Sequence, residues 1–314
     1  MRKRLLGDTG LNVPVIMLGG NVFGWTMDEA ASFDLLDRAV DAGLNFIDTA
    51  DVYSSWVPGH TGGESETILG NWFKKTGKRD QVILATKVGI EKGLAPNYIQ
   101  EAVEDSLRRL QTDYIDLYQA HKDDPKTPLE HTLGAFDRLI QQGKVRFIGA
   151  SNYSGARVRE ALEVSKENGL PAYQTLQPHY NLLEREEYEA DLAPVAQEYG
   201  LGVIPYFSLA SGFLTGKYRS KADLAGKTRG GMVEKYLNDR GLDVLQTLDS
   251  IAKTHNSTPA RVALAWLLTR PGITAPIASA TTADQLNELV EASKLTLERS
   301  AIEKLSAASA AATA

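Results

Sequence analysis

The chain contains no cysteine. That absence removes disulfide frameworks, thiolate nucleophiles and zinc–sulfur sites together, and it fits a reducing compartment. Histidine is scarce too. The five present (His60, His121, His131, His179, His255) show neither H-E-x-x-H nor another dense ligand spacing, so no catalytic metal is expected. The glycine cluster Gly19-Gly20-Asn21-Val22-Phe23-Gly24 lacks the G-x-G-x-x-G spacing and reads as a tight turn; no Walker A motif and no G-x-S-x-G nucleophile elbow occur. There is no apolar run of membrane-spanning length. Arg2, Lys3 and Arg4 look like the start of a signal peptide, but Gly7-Asp8-Thr9-Gly10 stands where its apolar stretch would have to be. The net charge of −6 argues against a nucleic-acid surface. A cytoplasmic protein with no membrane or nucleic-acid partner is the expectation, with its oligomeric state open.

What is present is a regular alternation. The 314 residues, 43% hydrophobic and 24% charged, suffice for two average domains or one large α/β barrel. Residues 2–12 read as a hairpin turning at 7–10, and 14–19 (PVIMLG) as a first buried strand. Helix 28–42, strand 45–49, helix 64–75, strand 82–87, helix 97–110, strand 114–120, helix 128–142 and strand 145–150 follow. Helix 154–167 takes Ser154 as N-cap; strand 173–178, helix 186–199 and strand 202–206 come next. After a long loop stand two helices, the second opened by Thr258 and Pro259, then strand 273–278 and two closing helices. Eight strands in continuous alternation, without a composition break, predict α/β class: a single (β/α)8 TIM barrel over 1–314, with an N-terminal β-hairpin and extra C-terminal helices.

A barrel places functional groups where strands run out at their C-terminal ends. Asp48 ends the second strand, Lys87 the third, and His121 follows the fourth; Ser151 and Asn152 follow the fifth, Gln177 lies near the end of the sixth, and Tyr206 ends the seventh. Any one of these would pass for a solvated loop residue or a structural histidine, but together they gather on one rim. Tyr53 stands five residues beyond Asp48, in GLNFIDTADVY (43–53). A phenol needs tuning to donate a proton at neutral pH, and Lys87 beside it is expected to stabilise the phenolate and lower its pKa. Such a set suits proton delivery to a developing alkoxide. Phe23, Trp25 and Trp56 near the early rim loops would line an apolar substrate pocket or simply pack those loops. The tail Ser306 to Ala314 has little to bury and is expected to fray.

Several segments carry a family resemblance: GLNFIDTADVY (43–53), GGESETILG (62–70), LATK (84–87), DLYQAH (116–121), GKVRFIGASN (143–152), LQPHYNLLER (176–185) and VIPYFSLASGFLTGKY (203–218). In these the chain resembles the aldo-keto reductases from end to end, and Asp48, Tyr53, Lys87 and His121 match their catalytic tetrad. The resemblance implies metal-free, nicotinamide-dependent reduction of aldehydes and ketones, or the reverse oxidation. It implies that Ser151, Asn152 and Gln177 hold the carboxamide, that Tyr206 stacks on the ring, and that Leu209, Gly212 and Lys217 wrap the pyrophosphate. Ser279, Thr281, Gln285 and Glu288 fall where the family holds adenosine. This chain departs from the usual pattern at Phe207-Ser208, Ser279 and Leu289.

NADP(H) is the expected cofactor, with NAD(H) possible. The segment from Lys217 to Lys235 holds six basic residues (Lys217, Arg219, Lys221, Lys227, Arg229, Lys235) against two acidic ones (Asp223, Glu234). Arg229 stands about where relatives place an Arg against the 2′-phosphate. The chain also resembles the channel-associated β subunits of the superfamily, which leaves a nucleotide-sensing role open. A Schiff-base aldolase using Lys87 is a further alternative, opposed by Asp48, which would keep that amine protonated.

Overall fold

The structure, a computed structural model, describes residues 1–310. An antiparallel hairpin, β1 (Lys3–Leu5) and β2 (Asn12–Pro14), opens the chain. Its turn uses the predicted glycines, with Gly7 at φ 53° and Gly10 at φ 70°, left-handed values that suit residues lacking Cβ. Then come β3 (Met17–Gly19), α1 (Glu29–Asp41), β4 (Phe46–Asp48), α2 (Glu64–Thr76), β5 (Ile83–Val88) and α3 (Pro96–Leu110). They are followed by β6 (Ile115–Ala120), α4 (Leu129–Gln141), β7 (Val145–Ser151), α5 (Gly155–Asn168), β8 (Thr175–Gln177), α6 (Ala193–Glu198) and β9 (Gly202–Val203). A long segment carrying the short α7 (Gly230–Val233) precedes α8 (Asp239–Thr254), α9 (Pro259–Leu268), β10 (Ile277–Ala278), α10 (Ala283–Ala292) and α11 (Arg299–Ala308).

Strands β3 to β10 form one parallel sheet in the order β10-β3-β4-β5-β6-β7-β8-β9. A bridge between Val203 and Ile273, with Thr274 N donating to Val203 O at 2.8 Å and Ile277 N to Pro205 O at 2.9 Å, joins the last strand to the first. The result is the predicted (β/α)8 barrel. Its interior is filled by Met17, Phe46, Ala85, Leu117, Ile204 and Ala275, and Leu6 and Val13 of the hairpin close it at the strands' N-terminal ends. The larger apolar cluster lies between strands and helices, so each parallel strand is buried on both faces, as its continuous apolar run requires.

The seventh and eighth strands are shorter than the apolar runs 202–206 and 273–278 suggest, because Pro205 and Pro276 bring no N–H to the ladder. The expected helix 186–199 divides into a π-helical turn, Tyr188–Leu192, and α6. Pro194 supplies no N–H to the carbonyl of Ala190, and the helix rearranges there. Both predicted caps hold: Ser154 accepts from Arg157 N at 3.2 Å, and Thr258 from Arg261 N at 3.3 Å. The tail departs from expectation. Residues up to Ala308 are helical; the Ser306 carbonyl and the Ser309 hydroxyl accept from Arg185 at 2.7 and 2.8 Å, and Trp266 Nε1 donates to Ser306 Oγ at 3.1 Å. A half-buried Arg and a buried Trp thus supply the partners that the tail's own composition lacks. The rest of the expected frayed tail, 311–314, lies outside the described residues.

Helix α2 meets α3 at Gly70. A Cβ there would stand 2.0 Å from Arg109 O and 2.7 Å from the carbonyl carbon of Leu110, contacts that only backbone movement relieves. Gly70→Ala is therefore expected to destabilise the fold by about 2–3 kcal/mol through overpacking. Chemical denaturation measures this, and an unchanged midpoint would show that the two helices part at no cost.

Candidate active site

The C-terminal ends of β4, β5 and β6 bring the site together. The register pairs Asp48 with Ala85 and Lys87 with Gln119 on neighbouring strands. Lys87 is fully buried, and its Nζ lies 2.8 Å from Asp48 Oδ2, 2.8 Å from Asp48 Oδ1, 2.8 Å from Thr49 O and 2.9 Å from the Tyr53 hydroxyl. Tyr53 donates to Asp48 Oδ2 at 3.0 Å. Gln177, from β8 across the barrel, donates to Asp48 Oδ1 at 2.9 Å. A charge pair taken out of water is tolerated only with its remaining donors and acceptors satisfied, and these contacts do that.

His121 stands beside Tyr53, ring centroids 6.2 Å apart and edge to face. Its Nδ1 is enclosed without a partner among the described residues. Burial, and then the Lys87 charge, hold its pKa well below the usual imidazole value, so the ring is neutral at physiological pH. For Tyr53 the expectation of a lowered pKa is reversed. Burial first, and then the Asp48 carboxylate, push the phenol well above its ordinary value. Desolvation likewise lowers Lys87, against the pull of Asp48. The Lys87 charge is shared with Asp48, which offsets the effect on the phenol that sequence alone suggested.

The remaining rim residues hold one another. Ser151 Oγ donates to the Gln177 carbonyl at 2.8 Å, Asn152 Nδ2 to the His121 carbonyl at 2.8 Å, and the Tyr206 hydroxyl to Asn152 Oδ1 at 2.8 Å. One face of Tyr206 is covered by His179, stacked at 5.2 Å and 14°. Beyond Tyr206 the chain turns sharply: Phe207, Ala210 and Ser211 have φ of 51°, 49° and 57°, and Gly212 has φ of 98°. Left-handed values at three non-glycine residues concentrate backbone strain in this loop, as ligand clamps do.

A cavity of about 1200 Å³ runs from Tyr53 and His121, past Tyr206, Leu209, Gly212 and Lys217, to Ser279, Thr281, Gln285 and Glu288. Of the six basic residues between 217 and 235, three have acidic partners: Arg219 with Asp249, Lys221 with Glu234, and Lys235 with Glu184. The other three, Lys217, Lys227 and Arg229, line the cavity. Arg229 lies 5.2 Å over the Trp25 ring, and burial lowers its pKa. At the far end, Glu288 accepts from Thr258 and, at 2.5 Å, from Arg261, while Thr281 N and Oγ1 donate to Gln285 Oε1. Ser279 donates to Asn21 at 2.6 Å, and Leu289 is buried in the core.

The predicted aromatics divide. Trp56 lines the cavity, and Trp25 packs edge-on against it at 5.4 Å. Phe23 does not reach the cavity: it is fully buried in the core, because the turn at Gly24 (φ 75°) directs it inward. Residues that line the cavity without having been named as site candidates include Asn21, Ile90, Lys122 and Thr258. Of these, Lys122 was readable, since it follows His121 at the same strand exit.

A second polar group lies behind the first. Glu66 is fully buried on α2 and accepts from Thr86 at 2.6 Å and from Arg109 Nε at 2.8 Å. Asp51, two residues before Tyr53, has Oδ1 enclosed without a partner among the described residues. Its carboxyl is pushed from the ordinary 3.8 up to about 7 by burial and then by Glu66, against Arg109 and Lys87. The folded state thus holds this proton more tightly than the unfolded chain. The associated stability is complete below about pH 4 and is lost as pH rises through about 7; linkage bounds it at about 4 kcal/mol. Asp51→Asn should flatten the decline in unfolding free energy between pH 4 and pH 7, measured by urea titration. A slope that persists in the variant would reject the assignment.

The model of the aldo/keto reductase family matches residues 15–310. The chain is 36% identical to the uncharacterized oxidoreductase YrpG of Bacillus subtilis (strain 168), across 97% of this chain and 95% of that one. It is 34% identical to protein tas of Escherichia coli (strain K12), across 98% and 97%. Identity is 33% to a putative voltage-gated potassium channel subunit beta of Schizosaccharomyces pombe (strain 972 / ATCC 24843), across 92% and 87%. With a family match over nearly its whole length, the chain belongs to the aldo/keto reductase family.

Proposed function

We propose that this oxidoreductase reduces aldehydes and ketones to alcohols, or runs the reverse oxidation, with NADP(H) as the preferred cofactor and NAD(H) as a weaker one. The observation that carries the reading is the Tyr53 hydroxyl, held by Lys87 at 2.9 Å and Asp48 at 3.0 Å at one end of a cavity whose other wall holds three cations without an acidic partner among the described residues. The residues fit a dinucleotide. Tyr206 has one face backed by His179, Leu209 and Gly212 belong to a strained loop suited to a pyrophosphate, and Lys217, Lys227 and Arg229 supply positive charge. Ser151, Asn152 and Gln177 would hold the carboxamide, and Ser279, Thr281, Gln285 and Glu288 the adenosine.

When bound, the nicotinamide supplies or accepts the hydride at the carbonyl carbon. The protein handles the proton. Lys87 donates to the phenol oxygen, so as an alkoxide develops, Tyr53 turns its proton from Asp48 to the new oxygen, and the phenolate left behind faces the ammonium. A phenol raised by burial keeps its proton until a stronger base appears beside it, which the alkoxide is. Neutral His121 orients the carbonyl oxygen without competing as an acid. Lys87 makes a poor Schiff-base nucleophile, since its Nζ is fully buried and surrounded by Asp48, Thr49 O and Tyr53.

Tyr53→Phe should lower kcat for a reactive aldehyde by about 10²- to 10⁴-fold while cofactor affinity stays close to wild type. Loss of nicotinamide absorbance follows the reaction, and a wild-type kcat in this variant rejects Tyr53 as the acid. Absence of turnover across a broad carbonyl panel, with the cofactor bound, would favour a nucleotide-sensing role of the kind that the channel-subunit name of one relative suggests. Arg229→Ala should weaken NADPH by about tenfold to a hundredfold relative to NADH, the worth of one charge-assisted contact to a phosphate. Dissociation constants for both cofactors decide this, and an unchanged ratio overturns the preference.

A further inference from the structure

One charged side chain at the carbonyl end of the cavity has no role in the chemistry above. Lys122 follows His121 directly where β6 runs out, and it lines the cavity. The two carboxylates after it are engaged elsewhere. Asp123 takes Arg157 Nε at 2.9 Å, and Asp124 takes the Leu94 N–H at 2.8 Å, the Lys126 N–H at 3.0 Å and the Thr127 hydroxyl at 2.7 Å. Lys122 itself forms no hydrogen bond or ion pair among the described residues. The carboxylates lining the same cavity are Asp48 and Glu288, and both are neutralised: Asp48 by Lys87, Glu288 by Arg261 at the opposite end. An anion arriving at Lys122 therefore meets no uncompensated negative charge. At this end of the cavity the wall also carries Trp56 and Ile90, apolar side chains left 47% and 39% exposed.

Resting on the carbonyl-reduction reading, we propose that the preferred substrates are aldehydes or ketones bearing a carboxylate or similar anionic group beyond an apolar spacer. The carbonyl lies at Tyr53 and His121, the spacer on Trp56 and Ile90, and the anion on the Lys122 ammonium. A spacer is needed because Lys122 carries its charge at the end of a flexible arm on the rim, while Tyr53 is anchored at the cavity floor by Lys87. The same arm lets the ammonium follow substrates of different length, so the class is set by charge and apolar body.

The test compares 4-carboxybenzaldehyde with its neutral isostere 4-carbamoylbenzaldehyde, in wild type, Lys122→Met and Lys122→Arg. In the wild type at low ionic strength, kcat/KM should favour the acid by roughly three- to tenfold, the range between an exposed ion pair and a charge-assisted hydrogen bond. The preference should fall to near unity in Lys122→Met, return in Lys122→Arg, and shrink with added salt. Turnover of the amide with no preference for the acid overturns the proposal and leaves carbonyl reduction standing. A preference that survives Lys122→Met also overturns it, since the anion is then read by another cation. If neither aldehyde is reduced, the broad carbonyl panel decides the carbonyl-reduction reading, and binding decides the site by itself. Quenching of tryptophan fluorescence by 4-carboxybenzaldehyde should show a Kd several-fold tighter in wild type than in Lys122→Met, and equal values overturn the proposal.

Discussion

The structure of the site depends on one buried ion pair. Lys87 and Asp48 lie 2.8 Å apart with almost no exposure to solvent, and desolvating two such charges costs several kcal/mol per ion before their attraction is counted. The pair is sustainable because every neighbour completes it. Thr49 O and the Tyr53 oxygen take the other contacts of the ammonium, while Gln177 and the Tyr53 hydroxyl take those of the carboxylate. Two strands, a loop and a glutamine from across the barrel are thereby fixed relative to one another. Asp48, Tyr53 and Gln177 of this set all line the cavity, and Tyr53 is the member whose hydroxyl carries a proton there.

The distribution of charge follows a similar logic on a larger scale. The chain is acidic overall, yet the acids on the cavity wall are neutralised by partners and, among the described residues, several basic residues there are not. Partnering, more than composition, thus decides the local potential. Arg219, Lys221 and Lys235 count as basic in the sequence but are matched by Asp249, Glu234 and Glu184, so only half of the basic cluster remains for a polyanion. Beside His121 the same sorting leaves Lys122 without a partner among the described residues and engages Asp123 and Asp124.

The barrel, its hairpin and the order of its elements were legible because each rests on local patterns: apolar runs, helical spacing, turn glycines, and the caps Ser154 and Thr258. The positions of Asp48, Lys87 and His121 were legible for the same reason, since the end of an apolar run marks the end of a barrel strand. Local pattern reached less far where a proline interrupted it, as at Pro194 and Pro205, and where a side chain's direction depended on a turn, as at Phe23.

Sequence by itself thus determined which residues stand on the rim and what their functional groups can do. Tertiary structure alone decided how those groups are perturbed and which are free. Gln177 reaches Asp48 across 129 residues of chain, Glu66 and Arg109 meet across 43, and no local spacing encodes either contact. The raised phenol of Tyr53, the neutral imidazole of His121 and the carboxyl of Asp51 all arise from burial, which depends on what the rest of the chain packs around them. Desolvation and ion pairing act through space over a few ångströms, whereas sequence patterns report only what lies a few residues away.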